Sequence, residues 1–150
     1  MPVLIENRQT VRRVNRVRIR RILTEMMTQL GCADQEVSVL LVDDAGIRTI
    51  NRDYLGRDRP TNVISFALRE GENGALNSHL LGDIVVSVET AASDARRAKI
   101  NFTDELDFLL IHGLLHLLGF DHEGVSSTKA GEMKALEQRI FYALKGYEIQ

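Results

Sequence analysis

Three of the four histidines in this 150-residue chain lie within eleven positions, in the stretch HGLLHLLGFDH over residues 112–122. His112 and His116 are four residues apart in an apolar segment that predicts a helix, so both imidazoles share one helix face. Gly119 favours a helix end and a chain reversal that returns His122 to the same point. The pattern predicts three neutral nitrogen ligands around one metal ion.

Zinc is the leading candidate, because imidazole suits it and three protein ligands leave a fourth position for water. One Zn²⁺ held by His112, His116 and His122 would therefore have the open position that is typical of catalytic sites. Imidazole affinity alone leaves nickel, copper and iron open. The alternative is that these histidines are hydrogen-bonded core residues, although two facing imidazoles without a cation leave polar atoms unsatisfied at roughly 1–3 kcal/mol each. His79, in a polar stretch, is predicted to be incidental.

The histidine spacing is also that of the metzincin metalloproteases, which carry a glutamate general base directly after the first histidine. This chain has Gly113 at that position. Because the glutamate general base is missing, hydrolysis of a peptide by the usual route is not expected. A metal ion can still activate water and polarise a phosphoryl oxygen, so the pattern predicts hydrolysis of another kind of substrate. Asp121 is expected to orient a ligand imidazole or cap the loop rather than act as general base.

The periodicity of the remaining chain predicts the elements that must position these residues. Gly31 and Gly56 are expected to end the first two helices, Asp43 or Asp44 to cap the second, and Thr103 or Asp104 to cap the helix that carries the histidines. The other predicted elements are strands at residues 3–5, 36–42, 63–68 and 81–86, and helices at residues 11–30, 88–99 and 128–144.

This order of elements predicts an α+β fold, with a mixed sheet of about four strands packed against helices. The segment LDFLLIHGLLHLLG is apolar on most sides, so the helix with His112 and His116 is expected to be central and largely buried. No repeat or linker divides the chain, which predicts a single domain over residues 1–150.

Charge is unevenly distributed along the chain. The formal net charge is −2, yet residues 8–21 hold seven arginines and no acidic residue. Such a block is able to attract a polyanion. The alternative is that these arginines form a solvated helix face whose positive charge offsets the net negative charge of the rest of the chain.

The predicted location is cytoplasmic. Cys32 is the only cysteine, so no disulfide can form within the chain, and no apolar signal segment follows the first residues. The apolar runs are too short for a membrane span, so no membrane association is expected.

Four segments in the same order resemble the YbeY family of zinc-dependent single-strand endoribonucleases. They are HGLLHLLGFDH, YLGRDRPTNVISF (residues 54–66), LGDIVVSVETA (residues 81–91) and EMKALEQ (residues 132–138), and the likeness covers roughly residues 36–146. The resemblance implies an α+β fold, zinc bound by the three histidines, and cleavage of ribosomal RNA precursors near the 3′ end of the small-subunit RNA. It also implies a role in ribosome quality control.

One position departs from the family pattern. Many members have an arginine where this chain has Leu55, and that arginine is regarded as functionally important. Arg57 and Arg59 are the candidates to replace it, in a basic groove that binds RNA phosphates beside the histidines. The alternative is that both are ordinary solvated loop arginines. Phe66 is either a core residue or a stacking platform.

These residues give a hypothesis for catalysis. In this hypothesis, water activated by the metal ion that His116 helps to bind attacks the scissile phosphorus. Arg57 or Arg59 stabilises the negative charge that develops. The expected partners are single-stranded RNA, ribosomal RNA precursors, and the ribosome or small-subunit proteins. Two alternatives stay open: a ribosome-associated zinc-binding protein with little catalysis, and a metal-dependent hydrolase of a smaller phosphorylated or amide substrate.

Overall fold

A computed structural model describes residues 3–68, 79–120 and 127–145, with only the backbone described for residues 127–130. The elements in chain order are β1 (Val3–Asn7), α1 (Arg16–Gln29), β2 (Glu36–Val42), α2 (Asp44–Leu55), β3 (Val63–Ala67), β4 (Leu80–Ser87), α3 (Val88–Ala98), α4 (Phe102–Leu117) and α5 (Ser127–Lys145).

The four strands form one mixed sheet in the order β1-β2-β4-β3. The pairs β1–β2 and β2–β4 are parallel, whereas β3 runs antiparallel to β4. Because β3 is the last strand in this order, its second edge is available to border a cleft. The predicted α+β fold with a mixed sheet of about four strands is confirmed.

The main core lies on one face of the sheet. Val37, Val39 and Leu41 alternate along β2 and are buried there, since alternate side chains of a strand point to the same face. The smaller cluster on the other face includes Val42 and Ile47 and packs α2 against the sheet. The two faces are therefore covered unequally.

Helix α4 is central, as predicted. Leu110 and Leu114 are fully buried, and the helix contacts β3, β4, α1, α3 and α5. A helix surrounded in this way must be apolar on most sides, so its polar side chains need a partner or a cleft.

Helix α1 begins at Arg16, five residues later than the periodicity predicts, and Val11 lies outside it. Asn15 is its N-cap, with an extended backbone and a side chain that accepts a hydrogen bond from the backbone of Arg18. Upstream, the Gln9 side chain satisfies both backbone polar groups of Arg12. These local hydrogen bonds compete with helix formation and displace its start.

The predicted cap of α4 is also wrong. Asn101 caps the helix, because its side chain accepts from the backbone N–H of Asp104 at 2.8 Å and its own backbone is extended. Thr103 and Asp104 lie inside the first turn. Asp104 is instead buried near Lys145, whose Nζ is 3.3 Å from its carboxylate.

The other predicted boundaries lie close to the observed ones. Glu36–Val42 is a strand, Asp43 and Ser87 cap the helices that follow them, and Gly56 ends α2 in the left-handed conformation with φ of 71°. Residues 69–78, which make up most of the segment between the predicted strands at residues 63–68 and 81–86, lie outside the described residues.

Candidate metal and RNA site

The centre of the candidate site is a pair of imidazoles on α4. The Nε2 atoms of His112 and His116 are 3.0 Å apart, and the ring centroids are 4.6 Å apart. Both residues are half-buried. The four-residue spacing therefore places both rings at one point, as predicted, whereas the third predicted ligand, His122, and its neighbour Asp121 lie outside the described residues.

A buried carboxylate from α5 fixes the first of these rings. Oε1 of Glu137 is 3.0 Å from Nδ1 of His112, and Glu137 is only 3 % exposed. An ionised carboxylate can only accept, so Nδ1 of His112 donates its hydrogen, and in the neutral ring Nε2 then carries the lone pair. A carboxylate on the distal nitrogen is the usual partner of a metal-binding histidine.

Glu137 was not among the predicted site residues, although the sequence carries a signal for it. Met133, Ile140 and Phe141 form a buried stripe on α5, and Glu137 falls on the same stripe at helical spacing. An acidic residue in such a stripe needs a polar partner, because an unpaired buried charge is costly.

The donor set of the described residues fits a metal ion. Two neutral imidazole nitrogens suit zinc, and 3.0 Å between them is compatible with both lying about 2.0–2.1 Å from one ion. The same distance also permits a hydrogen bond from one ring to the other. No group of three histidine, cysteine or acidic side chains suited to a metal occurs within residues 3–68, 79–120 and 131–145. The site as predicted therefore needs His122.

Gly113 faces the sheet, where there is no room for a side chain. A Cβ atom added at Gly113 would lie 2.8 Å from Cγ2 of Ile84 and 3.2 Å from Oγ of Ser65. Ser65 also donates a hydrogen bond of 3.1 Å to the carbonyl oxygen of Gly113. A glutamate general base of the metzincin kind therefore cannot occupy this position without displacing the side chains of Ile84 and Ser65.

The two histidines open into a cleft of about 550 Å³, which we call the histidine cleft. It lies between α4, the edge strand β3 and the segment that follows α2, and its lining includes Asn51, Arg57, Arg59, Ser65, His112 and His116. The structure thus brings both predicted arginines to the same cleft as the histidines. Leu55, where the sequence resemblance leads us to expect an arginine, also lines this cleft and is 48 % exposed.

Asn51 shapes the arginine-bearing segment of the histidine cleft. Its Nδ2 donates to the carbonyl oxygen of Arg59 at 2.9 Å, and its backbone carbonyl accepts from the N–H of Arg57 at 3.2 Å. Asn51 is only 3 % exposed, so these bonds are shielded from water. Asn51 was not predicted either, but it is detectable as a polar residue four positions after buried Ile47 on the inner face of α2.

An exposed ion pair lies at the outer side of the same segment. Nε of Arg48 is 2.8 Å from Oδ1 of Asp58, and the hydrogen bond from Arg48 lowers the pKa of Asp58 below its usual value. The same bond raises the pKa of Arg48. Because both side chains face water, this pair is expected to add little to stability.

Two residues considered from the sequence, Phe66 and His79, do not line the histidine cleft. Phe66 is partly buried, packs against the smaller core cluster and makes an edge contact with Tyr54 at 5.8 Å between ring centroids. His79 is exposed and does not line the histidine cleft.

Comparison with known proteins places this chain in a family. The family model described as Endoribonuclease YbeY matches residues 4–145. The chain belongs to the YbeY family.

Relatives in the YbeY family align over nearly the whole chain. A protein named Endoribonuclease YbeY from Syntrophus aciditrophicus is 46 % identical over 149 residues, which are 99 % of this chain and 93 % of the relative. One from Geobacter sulfurreducens is 48 % identical over 145 residues, 97 % of each chain. The N-terminal arginine stretch, which the sequence resemblance did not reach, therefore lies inside the matched region.

A solved structure has the same fold. The solution structure of TM1509 from Thermotoga maritima is similar with a TM-score of 0.67 and 27 % identity, over 96 % of this chain and 89 % of that chain. Among the helices that the structure describes, none combines the length and apolarity needed to cross a bilayer.

Proposed function

We propose that this YbeY-family chain is a zinc-dependent endoribonuclease that cleaves single-stranded RNA in the histidine cleft. The observation that carries the proposal is the pair of Nε2 atoms 3.0 Å apart, in a cleft that Arg57 and Arg59 also line. Family membership supports RNA as the substrate, because the relatives carry the name endoribonuclease.

The metal would be held by His112, His116 and His122. When bound, the ion supplies Lewis-acid chemistry, which activates water and stabilises negative charge on a phosphoryl oxygen. Glu137 holds a hydrogen on Nδ1 of His112, so that Nε2 keeps its lone pair for the ion. The role of His112 as a ligand thus depends on a residue of a different helix.

Arg57 and Arg59 would bind the RNA backbone at the mouth of the cleft. Arginine donors match the oxygens of a phosphate, and they also stabilise the charge that develops during phosphodiester cleavage. Asn51 fixes the backbone of both residues, which lowers the conformational cost of placing their side chains. The aliphatic Leu55 adds no charge here, so these two arginines would replace the family arginine.

The biological role we propose follows the family. The substrate would be precursor ribosomal RNA, cut near the 3′ end of the small-subunit RNA. The cleavage would take place in the cytoplasm, and the ribosome or small-subunit proteins would be the partners of the chain. Ribosome quality control would use the same cleavage activity. Both statements rest on the resemblance of the chain to YbeY proteins.

The test combines metal analysis with RNA cleavage. Protein purified without added metal is expected to carry zinc, and to cleave a fluorescent single-stranded RNA until a chelator removes the ion. His116→Ala should lose zinc and cleavage together, whereas His79→Ala, a variant of the exposed histidine outside the cleft, should keep both. Circular dichroism checks that each variant is folded.

Two outcomes would contradict the proposal. If folded His116→Ala cleaves RNA as well as the wild type does, the metal is not the catalyst. If the wild type binds zinc but cleaves no RNA, the chain is a zinc-binding protein without this activity.

A further inference from the structure

A second cleft, of about 660 Å³, shares no lining residue with the histidine cleft. It lies between residues 12–18 and the start of α4, and we call it the arginine cleft. Its lining includes Arg12, Arg13, Arg16, Arg18, Phe102 and Thr103. No acidic residue is found among the described residues that line it. Four of the seven arginines of the basic N-terminal stretch therefore share one concave surface.

Three of these four arginines have charge that the described part of the protein does not neutralise. Arg18 is paired with Asp107, but Arg12, Arg13 and Arg16 form no ion pair with any carboxylate within the described ranges. Arg13 and Arg16 are also exposed. A concave surface with three such charges attracts polyanions.

The backbone at Arg12 is fixed although it precedes α1. Gln9 is 8 % exposed, accepts from the N–H of Arg12 at 3.0 Å and donates to the carbonyl of Arg12 at 2.8 Å. Gln9 also donates to Oδ1 of Asn7, the last residue of β1, at 2.9 Å. The segment is thus tied to the sheet at its start.

Two arginine side chains of the cleft are held as well. The guanidinium of Arg12 lies over the ring of Phe102, with 4.2 Å between its central carbon and the ring centroid. Arg18 donates two hydrogen bonds, of 2.9 and 2.8 Å, to the fully buried carboxylate of Asp107. Because these side chains are already ordered, less conformational entropy is lost when an anion binds.

We propose that the arginine cleft binds the phosphate backbone of single-stranded RNA, as a second contact for the strand that is cut in the histidine cleft. Basic grooves that follow the backbone are how proteins bind single strands without reading their sequence. The inference rests on the proposed function for the identity of the polyanion, and extends it by a binding site.

One RNA strand is able to reach both clefts. Phe102 lines the arginine cleft and His112 and His116 line the histidine cleft, and all three belong to α4. Their separations of ten and fourteen residues correspond to about 15 and 21 Å along the helix axis. A stacked strand advances about 3.4 Å per nucleotide, so a stacked strand covers the span with about 4–6 nucleotides. A dinucleotide, which has a single phosphodiester, is too short to fill both sites, and a 20-mer is ample.

The binding test uses a charge-removing pair of substitutions and a matched control. Arg13→Gln with Arg16→Gln leaves the stacked Arg12 and the paired Arg18 intact. Arg21→Gln with Arg96→Gln removes the same charge from exposed positions outside both clefts. Binding of a fluorescent 20-nucleotide RNA is followed by anisotropy across a salt series, with chelator present so that the RNA stays uncut.

The expected result is a weaker dependence of binding on salt. The logarithm of the association constant falls linearly with the logarithm of the salt concentration, and each phosphate contact to a single strand contributes about 0.7 to the steepness of this slope. The cleft variant loses two arginines, so its slope should be less steep by about 1.4. The control variant should keep nearly the slope of the wild type. An unchanged slope in the cleft variant, or an equal loss in both variants, would overturn the proposal.

A kinetic test separates this site from catalysis. With the 20-mer, the KM of the cleft variant should rise severalfold while its kcat stays unchanged. Cleavage of a dinucleotide should be the same in the cleft variant and the wild type. A fall in kcat for both substrates would contradict a remote binding role. If the wild type binds the 20-mer with the expected salt dependence but never cleaves it, the proposed function fails while the arginine cleft stands.

Discussion

The histidine cleft and the arginine cleft are each organised by a buried carboxylate, but the two carboxylates meet different partners. Asp107, fully buried, lies against the guanidinium of Arg18 and the ammonium of Lys145, with Oδ2 only 2.5 Å from the lysine Nζ. Glu137, at 3 % exposure, lies against the imidazole of His112, which is neutral when it binds a metal.

Because their partners differ, Asp107 and Glu137 have different roles. The charge of Asp107 is balanced by two cations of the protein, so it ties α1 and α5 to α4 and holds Arg18 in place. Glu137 instead orients a ring and makes its distal nitrogen more basic, which favours a cation at Nε2. Replacing the first acid should cost mainly stability, and replacing the second should cost mainly metal affinity.

The largest effect is expected for Asp107→Asn. This change keeps the shape of the side chain but leaves the largely buried Arg18 without its anion and leaves Lys145 with Asp104 alone, at a cost of about 3 kcal/mol in the free energy of unfolding. Urea denaturation measures it. Asp58→Asn, which breaks the exposed pair with Arg48, is the control and should change stability little.

An Asp107→Asn protein as stable as the wild type would show that the buried pair does not hold the three helices together. The folded fraction of Asp107→Asn should still bind zinc with the affinity of the wild type, because Asp107 does not line the histidine cleft. This result would separate the roles of Asp107 and Glu137.

The next effect is expected for Glu137→Gln. The variant preserves a hydrogen-bond acceptor for His112 but removes the negative charge, and loss of such a partner weakens metal affinity by about 10–100-fold. Competition with a chromophoric zinc chelator measures the affinity directly. Glu132→Gln, a change on the exposed face of the same helix, should leave the affinity unchanged.

Equal zinc affinity in Glu137→Gln and the wild type would remove the proposed link between α5 and the metal. The salt dependence of RNA binding should be the same in both proteins, because Glu137 does not line the arginine cleft.

The smallest effect is expected for a pair of glycine substitutions. Gly113→Ala crowds Ile84 and Ser65, which outweighs the better helix propensity of alanine and should lower stability by about 1–2 kcal/mol. Gly131→Ala meets no atom within 4 Å and should raise stability by up to about 1 kcal/mol. Paired urea titrations compare the two.

A stabilising Gly113→Ala would contradict the close approach of α4 to the sheet. That result would also reopen the question of why this position lacks the glutamate of the metzincins, because room for a side chain would then exist.

Much of the framework was predictable because it depends on residues close together in the chain. The run of β-branched residues in Glu36–Val42 predicts a strand, and the four-residue spacing of His112 and His116 places two rings on one face. Local patterns were less reliable at helix starts. Several polar residues near the starts of α1 and α4 are possible caps, and the hydrogen bonds made by Gln9 and Asn101 determine which are used.

The sequence by itself determined the helix that carries the histidines, the approximate number of strands and the excess of arginine near the start of the chain. Only the tertiary structure decided that Glu137 lies against His112, that Asn51 fixes the segment with Arg57 and Arg59, and that Asp107 holds Arg18. Periodicity and capping act over a few residues. In contrast, the His112–Glu137 and Arg18–Asp107 pairs are 25 and 89 residues apart in sequence, and only the packing of helices and strands brings them together.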